Sequence, residues 1–141
     1  MPRYVAFLRA INVGGHVVKM EALRTLFEKL GFAGVETFIA SGNMIFESRL
    51  KNLAETEAKI EGALHKALGY EVSTFIRTLA EVTAIARFQP FQKASMAAAA
   101  ALNVGFLKAP LTMETRQDLA RLRTDFDDFQ AHGSELYWIC M

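Results

Sequence analysis

Apolar positions along the chain switch between two regimes, continuous runs and helical spacing. Tyr4 to Val13 is dense in aliphatic, aromatic and β-branched residues and predicts a buried strand. From Met20 the spacing opens: Met20, Leu23, Leu26, Phe27 and Leu30 recur at helical intervals, with Glu21, Arg24, Glu28 and Lys29 between them. This predicts an amphipathic helix starting near Lys19 and stopped by Gly31. Val35 to Ala40 and Met44 to Ser48 are short β-rich runs, and Ser41-Gly42-Asn43 reads as the hairpin turn joining them. Asn52 is a good N-cap for a second helix, with Leu53, Ile60, Leu64 and Leu68 as its apolar stripe and Gly69 as its stop. Val72 to Ile76 completes the series as a fourth strand. The order β-α-β-β-α-β predicts an α+β, ferredoxin-like half over residues 1–78, with antiparallel strand order 4-1-3-2 and both helices on one face.

The pattern then restarts, predicting a second, similar α+β half over residues 79–141. Leu79 to Phe88 is helical in spacing and closes at Gln89-Pro90-Phe91. Ser95 to Ala101 is read two ways, since its alanines favour helix while Leu102 to Leu107 beyond it favours strand. Pro110 and Thr112 mark a helix entrance, with Leu119, Leu122 and Phe126 as the expected stripe. Phe129 to Ala131 and Glu135 to Ile139 predict a hairpin around His132-Gly133-Ser134. The second half thus follows β-α-β-β, the first half's order without its last helix and strand. An unfinished fold is the expectation, with a sheet edge and an apolar face that a second copy, another chain or further residues would cover; the alternative is that Leu79–Phe88 or Ala97–Leu102 folds back and fills the gap.

Composition narrows the function classes. The chain has 141 residues, 52% hydrophobic and 22% charged, as in a water-soluble globular protein. A net charge of +1 gives no global field toward nucleic acid or an anionic membrane. The lone cysteine, Cys140, allows no intramolecular disulfide. His16, His65 and His132 lie far apart, without zinc-ligand spacing. Ala97 to Leu102 is apolar but far short of the roughly 20 residues that span a bilayer. Met1-Pro2-Arg3 leads into the expected first strand without the h-region and small-residue cleavage site of a signal peptide. A cytoplasmic protein without metal or cofactor is expected.

Candidate chemistry gathers at one place. Gly14-Gly15 interrupts the first strand, and the helix begins four residues later. Paired glycines let a ligand or backbone approach closely, and the first N–H groups of a helix lack internal partners. The same residues also serve as an ordinary strand-to-helix turn, because a Walker lysine and a complete GxGxxG are missing. In the expected topology the first two strands run the same way, which brings Asn12, Gly14, Gly15 and Lys19 beside Ser41, Gly42 and Asn43, with Arg9 one pleat lower, facing the pocket or the opposite side according to register. Glycine backbone, two amides, a hydroxyl and one or two cations suit a small anion, a phosphate or a nucleotide-like group. His16 has no Ser, Cys or carboxylate at pairing distance in sequence, so it is read as a surface loop histidine. Cys140 is read as a buried, inert thiol. Asp125, Asp127 and Asp128 lack an EF-hand glycine and distal glutamate and are read as a solvated helix end.

Several stretches together resemble the domain-of-unknown-function 1697 family of bacterial proteins. They are Tyr4-Val5-Ala6-Phe7-Leu8-Arg9-Ala10-Ile11-Asn12-Val13-Gly14-Gly15, Lys19-Met20 with Leu23, Leu30-Gly31-Phe32, Ser41-Gly42-Asn43 before a strand, and Glu135-Leu136-Tyr137. Ala10 stands where the family usually has glycine, and family members usually continue several tens of residues beyond the point corresponding to Met141. The resemblance implies a pair of ferredoxin-like α+β halves. It implies no activity, and no catalytic residue follows from it. Four functions remain in play: a small-ligand domain at the glycine edge, an interaction or homo-oligomerisation module, an enzyme of unidentified reaction, and an RNA binder. The last is disfavoured by the near-zero charge and by a third strand whose one aromatic is Phe46.

Overall fold

The computed structural model describes residues 2–9, 18–38 and 42–141. The protein is mixed α and β with antiparallel sheets, and it divides into two compact units, Met1–Thr83 and Ala84–Met141.

Unit 1 holds β1 (Arg3–Leu8), α1 (Met20–Lys29), β2 (Ala33–Phe38), β3 (Asn43–Glu47), α2 (Leu53–Leu68) and β4 (Thr74–Thr78). β1 lies between β3 and β4, and β2 flanks β3, giving the order β2-β3-β1-β4 with every pair antiparallel. Alternation along the strands decides which face is dry. Ala6, Met44, Phe46 and Ile76 are fully buried on one face, against Leu23 and Phe27 of α1 and Ile60 and Leu64 of α2. Phe27 sits at the centre, its ring 5.8 Å from those of both Phe32 and Phe46. Burying such a side chain contributes about 1.5–3 kcal/mol each, so this cluster carries unit 1.

The helix ends follow local chemistry. After Leu30, Gly31 takes φ +95°, its N–H returns to the Glu28 carbonyl (3.0 Å) and that of Phe32 to Phe27 (3.3 Å). This is a Schellman motif, and the Phe27–Phe32 contact is its apolar clasp. At α2 the Asn52 side chain accepts from the Glu55 N–H (3.0 Å), and Gly69 closes the helix at φ +81°. The α2 stripe differs from the sequence expectation. Leu53 is 39% exposed, and Glu57, at 6%, occupies the inner face.

β1 stops at Leu8 with Arg9 in a turn; the rest of the expected strand, to Val13, falls in residues 10–17, outside the described residues. β4 begins two residues later than expected, although Val72 is already buried. α3 (Leu79–Arg87) follows β4 directly. Thr78 and Glu81 cap it reciprocally: the Glu81 N–H donates to Thr78 Oγ1 (3.0 Å) and the Thr78 N–H to Glu81 Oε1 (2.8 Å). The division into units falls inside α3 rather than before it, where the restart of the apolar pattern puts it.

In unit 2, α4 (Lys93–Ala98) and β5 (Ala101–Phe106) settle the double reading of the alanine-rich stretch: helix first, then strand. α5 (Met113–Ala120), β6 (Asp127–His132) and β7 (Glu135–Cys140) follow, and the sheet order is β5-β7-β6, again antiparallel. The arrangement of β5, α5, β6 and β7 repeats that of β1, α1, β2 and β3, with the last strand seated between the first two in each case. The buried apolar residues here are Ala131, Tyr137 and Ile139. Phe88 stacks on His132 (4.0 Å between ring centres) and leans on Tyr137 (5.1 Å).

The expected stripe of α5 does not form. The helix ends at Ala120, and Leu122 and Phe126 lie beyond it, 61% and 68% exposed. Thr124 enforces the break: its Oγ1 accepts the Phe126 and Asp127 N–H groups (3.1 and 2.9 Å), a turn that competes with helix. Asp127 and Asp128 accordingly open β6 and are not a helix end.

Candidate functional site

The two stretches singled out by sequence meet at one end of the unit 1 sheet. Phe7 of β1 is paired with Asn43 of β3, and one residue on, the Leu8 N–H donates to the Gly42 carbonyl (3.3 Å). Gly42 is buried with φ +84°, a backbone conformation that favours glycine. Asn43 is not in the turn but is the first residue of β3, half-buried and paired with Phe38 on its other side. Arg9 follows directly. Its N–H donates to the Ser73 carbonyl (2.9 Å), which pins its backbone between the hairpin and the entrance to β4, and its side chain is exposed. Lys19 is the N-cap residue of α1, extended at φ −71° and exposed, without a side-chain cap bond; its carbonyl accepts from Ala22 (3.0 Å) and Leu23 (3.3 Å).

Arg9, Gly42 and Asn43 are thus brought together by strand pairing. Lys19 heads the helix that follows β1. Asn12, Gly14, Gly15 and Ser41, with His16, lie outside the described residues.

The surroundings give this edge a polarity. Beside Ser73 a cleft of about 380 Å³ is lined by Glu61, His65 and Glu71. Lys19 borders a groove of about 900 Å³ between α1 and α2. The two surroundings thus differ in sign, with carboxylates at the Ser73 cleft and a cation at the head of α1. Among the described residues, no group of three or more His, Cys, Asp and Glu side chains is placed to hold a metal ion. No helix among them is long and apolar enough to cross a membrane.

A second polar constellation, in unit 2, escaped the sequence patterns. Asp127 Oδ1 accepts from Trp138 Nε1 (2.9 Å) and Cys140 Sγ (3.6 Å), while Thr124 Oγ1 donates to Asp127 Oδ2 (3.1 Å). The indole bond, with smaller help from Thr124 and Cys140, holds the Asp127 carboxyl below the usual carboxylate range against the opposing effect of burial. Burial and then the Asp127 carboxylate push the Cys140 thiol up. Cys140 is therefore half-buried and partnered, not sealed in apolar packing, and its raised pKa still makes it a poor nucleophile. The signal was the alternation Asp127…Trp138-Ile139-Cys140 across a hairpin, legible only once the register Asp127↔Cys140 is known. Next to it, Arg123 grips Asp128 with two bonds (2.7 and 3.0 Å).

Comparison with known proteins agrees with this architecture. No curated protein matches the chain. Among solved structures, the conserved bacterial protein SP0830 from Streptococcus pneumoniae is similar in fold: TM-score 0.79 and 23% identity over 100% of this chain and 77% of that one. The model of the family described as "Protein of unknown function (DUF1697)" matches residues 1–137, and the chain belongs to that family.

Proposed function

We propose that unit 1 is a ferredoxin-like domain that binds a small anionic ligand, a phosphate or nucleotide-like group, at the edge formed by Gly14-Gly15 and Ser41-Gly42-Asn43. The observation that supports this most is the hydrogen bond from Leu8 to the Gly42 carbonyl, which sets exposed Arg9 beside Asn43 at the end of the sheet where α1 follows. A helix N-terminus contributes only about 0.3–1 kcal/mol toward an exposed charge, so Arg9 and Lys19 supply most of the attraction in this reading. The ferredoxin-like reading rests on the strand order β2-β3-β1-β4 with α1 and α2 on one core. A cytoplasmic location is the companion reading, motivated by a single cysteine in the chain. Titration calorimetry with inorganic phosphate, pyrophosphate and ADP tests the site. Binding should weaken in Lys19→Ala and in Asn43→Ala; unchanged affinity in both variants ends the reading.

An interaction or homo-oligomerisation module is the second reading. It is favoured by exposed apolar side chains on both faces of the unit 2 sheet, Leu102 on one and Trp138 on the other, 44% and 40% accessible. RNA binding ranks below both. Phe46 is fully buried and packed on Phe27 and Phe32, where it meets no base.

A further inference from the structure

The groove between α1 and α2 has the chemistry of a protein-docking site. Its floor and walls are apolar: Leu26 and Leu30 are half-buried, and Ala22, Ala63 and Ala67 leave room where larger side chains would close the gap. Its rim is basic, with Lys19, Lys29 and Lys66 against one carboxylate, Glu21. The cations are spread along the groove. Lys19 and Lys29 are ten residues apart, about 15 Å along a helix axis. Lys59 donates to the Leu30 carbonyl (3.1 Å) and so marks where the end of α1 meets α2; Lys66 lies two turns farther along α2. A compound with one anionic head would answer only one end of such a rim. An occupant with acidic groups at both ends and an apolar stripe between them answers all of it.

We propose that this groove receives an acidic amphipathic helix of a partner protein, leucine-type side chains against Leu26, Leu30 and the three alanines, and flanking Glu or Asp residues against the lysines. Helix-in-groove recognition needs these parts: a preformed apolar trough and a rim whose charge selects the partner.

The probe is a labelled helix-forming peptide of roughly 15 residues with leucines at i, i+3, i+4 and i+7 flanked by glutamates. Fluorescence anisotropy with the full chain should show saturable binding that weakens as salt rises. Lys29→Glu combined with Lys66→Glu should weaken it roughly tenfold or more, and Ala67→Trp, which fills the trough from an exposed position, should abolish it. A peptide with lysines in place of the glutamates should not bind. Circular dichroism confirms that each variant is folded. The proposal is overturned if the acidic peptide does not bind, if the basic peptide binds equally, if the folded variants bind as wild type does, or if decanoate binds the groove where the peptide does not. It is equally overturned if the groove variants change the mass of the free protein in solution, since the occupant is then a second copy.

Discussion

Glu57 Oε2 accepts the backbone N–H of Ile76 at 2.8 Å, from a helix to the outer edge of a sheet. The neighbouring turn of α2 does the same: Glu61 Oε2 accepts from Thr74 (2.8 Å). Glu81 then takes the Thr78 N–H. The pattern follows from pairing geometry. Arg9 bonds Ser73 across the β1–β4 ladder, so by alternation Thr74, Ile76 and Thr78 turn their N–H groups away from β1. Three successive outward donors of an edge strand thus meet three carboxylates. An edge whose donors are occupied does not template another strand. β4 is thereby closed to strand addition by side chains rather than by a further strand.

Glu57→Ala should accordingly cost stability twice over, through the lost charge-assisted bond and through a buried N–H left without its acceptor. Together these amount to about 1.5–3 kcal/mol. Glu57→Gln keeps an acceptor oxygen and should lose less. Urea unfolding measures both, and equal midpoints for Ala and wild type would sink the argument. Light scattering should also show earlier association in the double variant Glu57→Ala, Glu61→Ala.

Two glycines should respond with opposite sign. Gly62 lies inside α2, and a Cβ there meets nothing within 4 Å. Gly62→Ala should stabilise by about 0.8–1 kcal/mol, the helix-propensity difference. Gly31 also has open space around its Cβ position, but its φ is +95°. Gly31→Ala should therefore destabilise, by about 1–2 kcal/mol. Thermal unfolding of the two variants in parallel decides it, and shifts of the same sign would refute the assignment.

The reciprocal cap at the head of α3 gives a third expectation. Thr78→Ala should cost about 1 kcal/mol, and Glu81→Ala should expose the Thr78 amide, seen as faster hydrogen exchange at that residue. Unchanged exchange would mean that the Glu81 carboxylate does not protect that amide in solution.

What was legible in the sequence was local. Gly31, Asn52 and Gly69 act within four residues of themselves, so their roles as stop, cap and stop could be read directly. Apolar spacing found α1 and β3 to within a residue, because both have one wet and one dry face. Glu57 was absent from the expected α2 stripe for the converse reason. Its position on the inner face brings it to the Ile76 N–H, nineteen residues away, whereas periodicity reads a carboxylate as solvent-facing. Leu122 and Phe126 kept helical spacing past Ala120, but Thr124 offers the backbone a turn that spacing does not register. Of the candidate site, topology put the end of β1 at the Gly42–Asn43 hairpin, but the placing of Arg9 needed the strand register, as did that of Asp127 with Trp138 and Cys140.

Asp127 supplies the pH dependence. Its carboxyl titrates below the usual range chiefly because Trp138 donates to the ionised form. A depressed carboxylate stabilises the fold fully above its unfolded value, about 3.9, and that contribution is lost as pH falls through the lower folded value. Trp138→Phe retains an aromatic ring opposite Phe129, which Trp138 stacks at 6.1 Å, and removes only the donor. The Asp127 carboxyl should then titrate higher, read from its carbon-13 shift against pH, and acid unfolding should begin at higher pH. Cys140 reports on the same bond from the other side, since the carboxylate helps hold its thiol protonated. Asp127→Asn should bring the Cys140 pKa down, and alkylation by iodoacetamide at mildly alkaline pH should quicken. If Trp138→Phe leaves the Asp127 titration where it was, the indole is not the group that depresses it. If Asp127→Asn leaves Cys140 equally slow, burial alone sets the thiol.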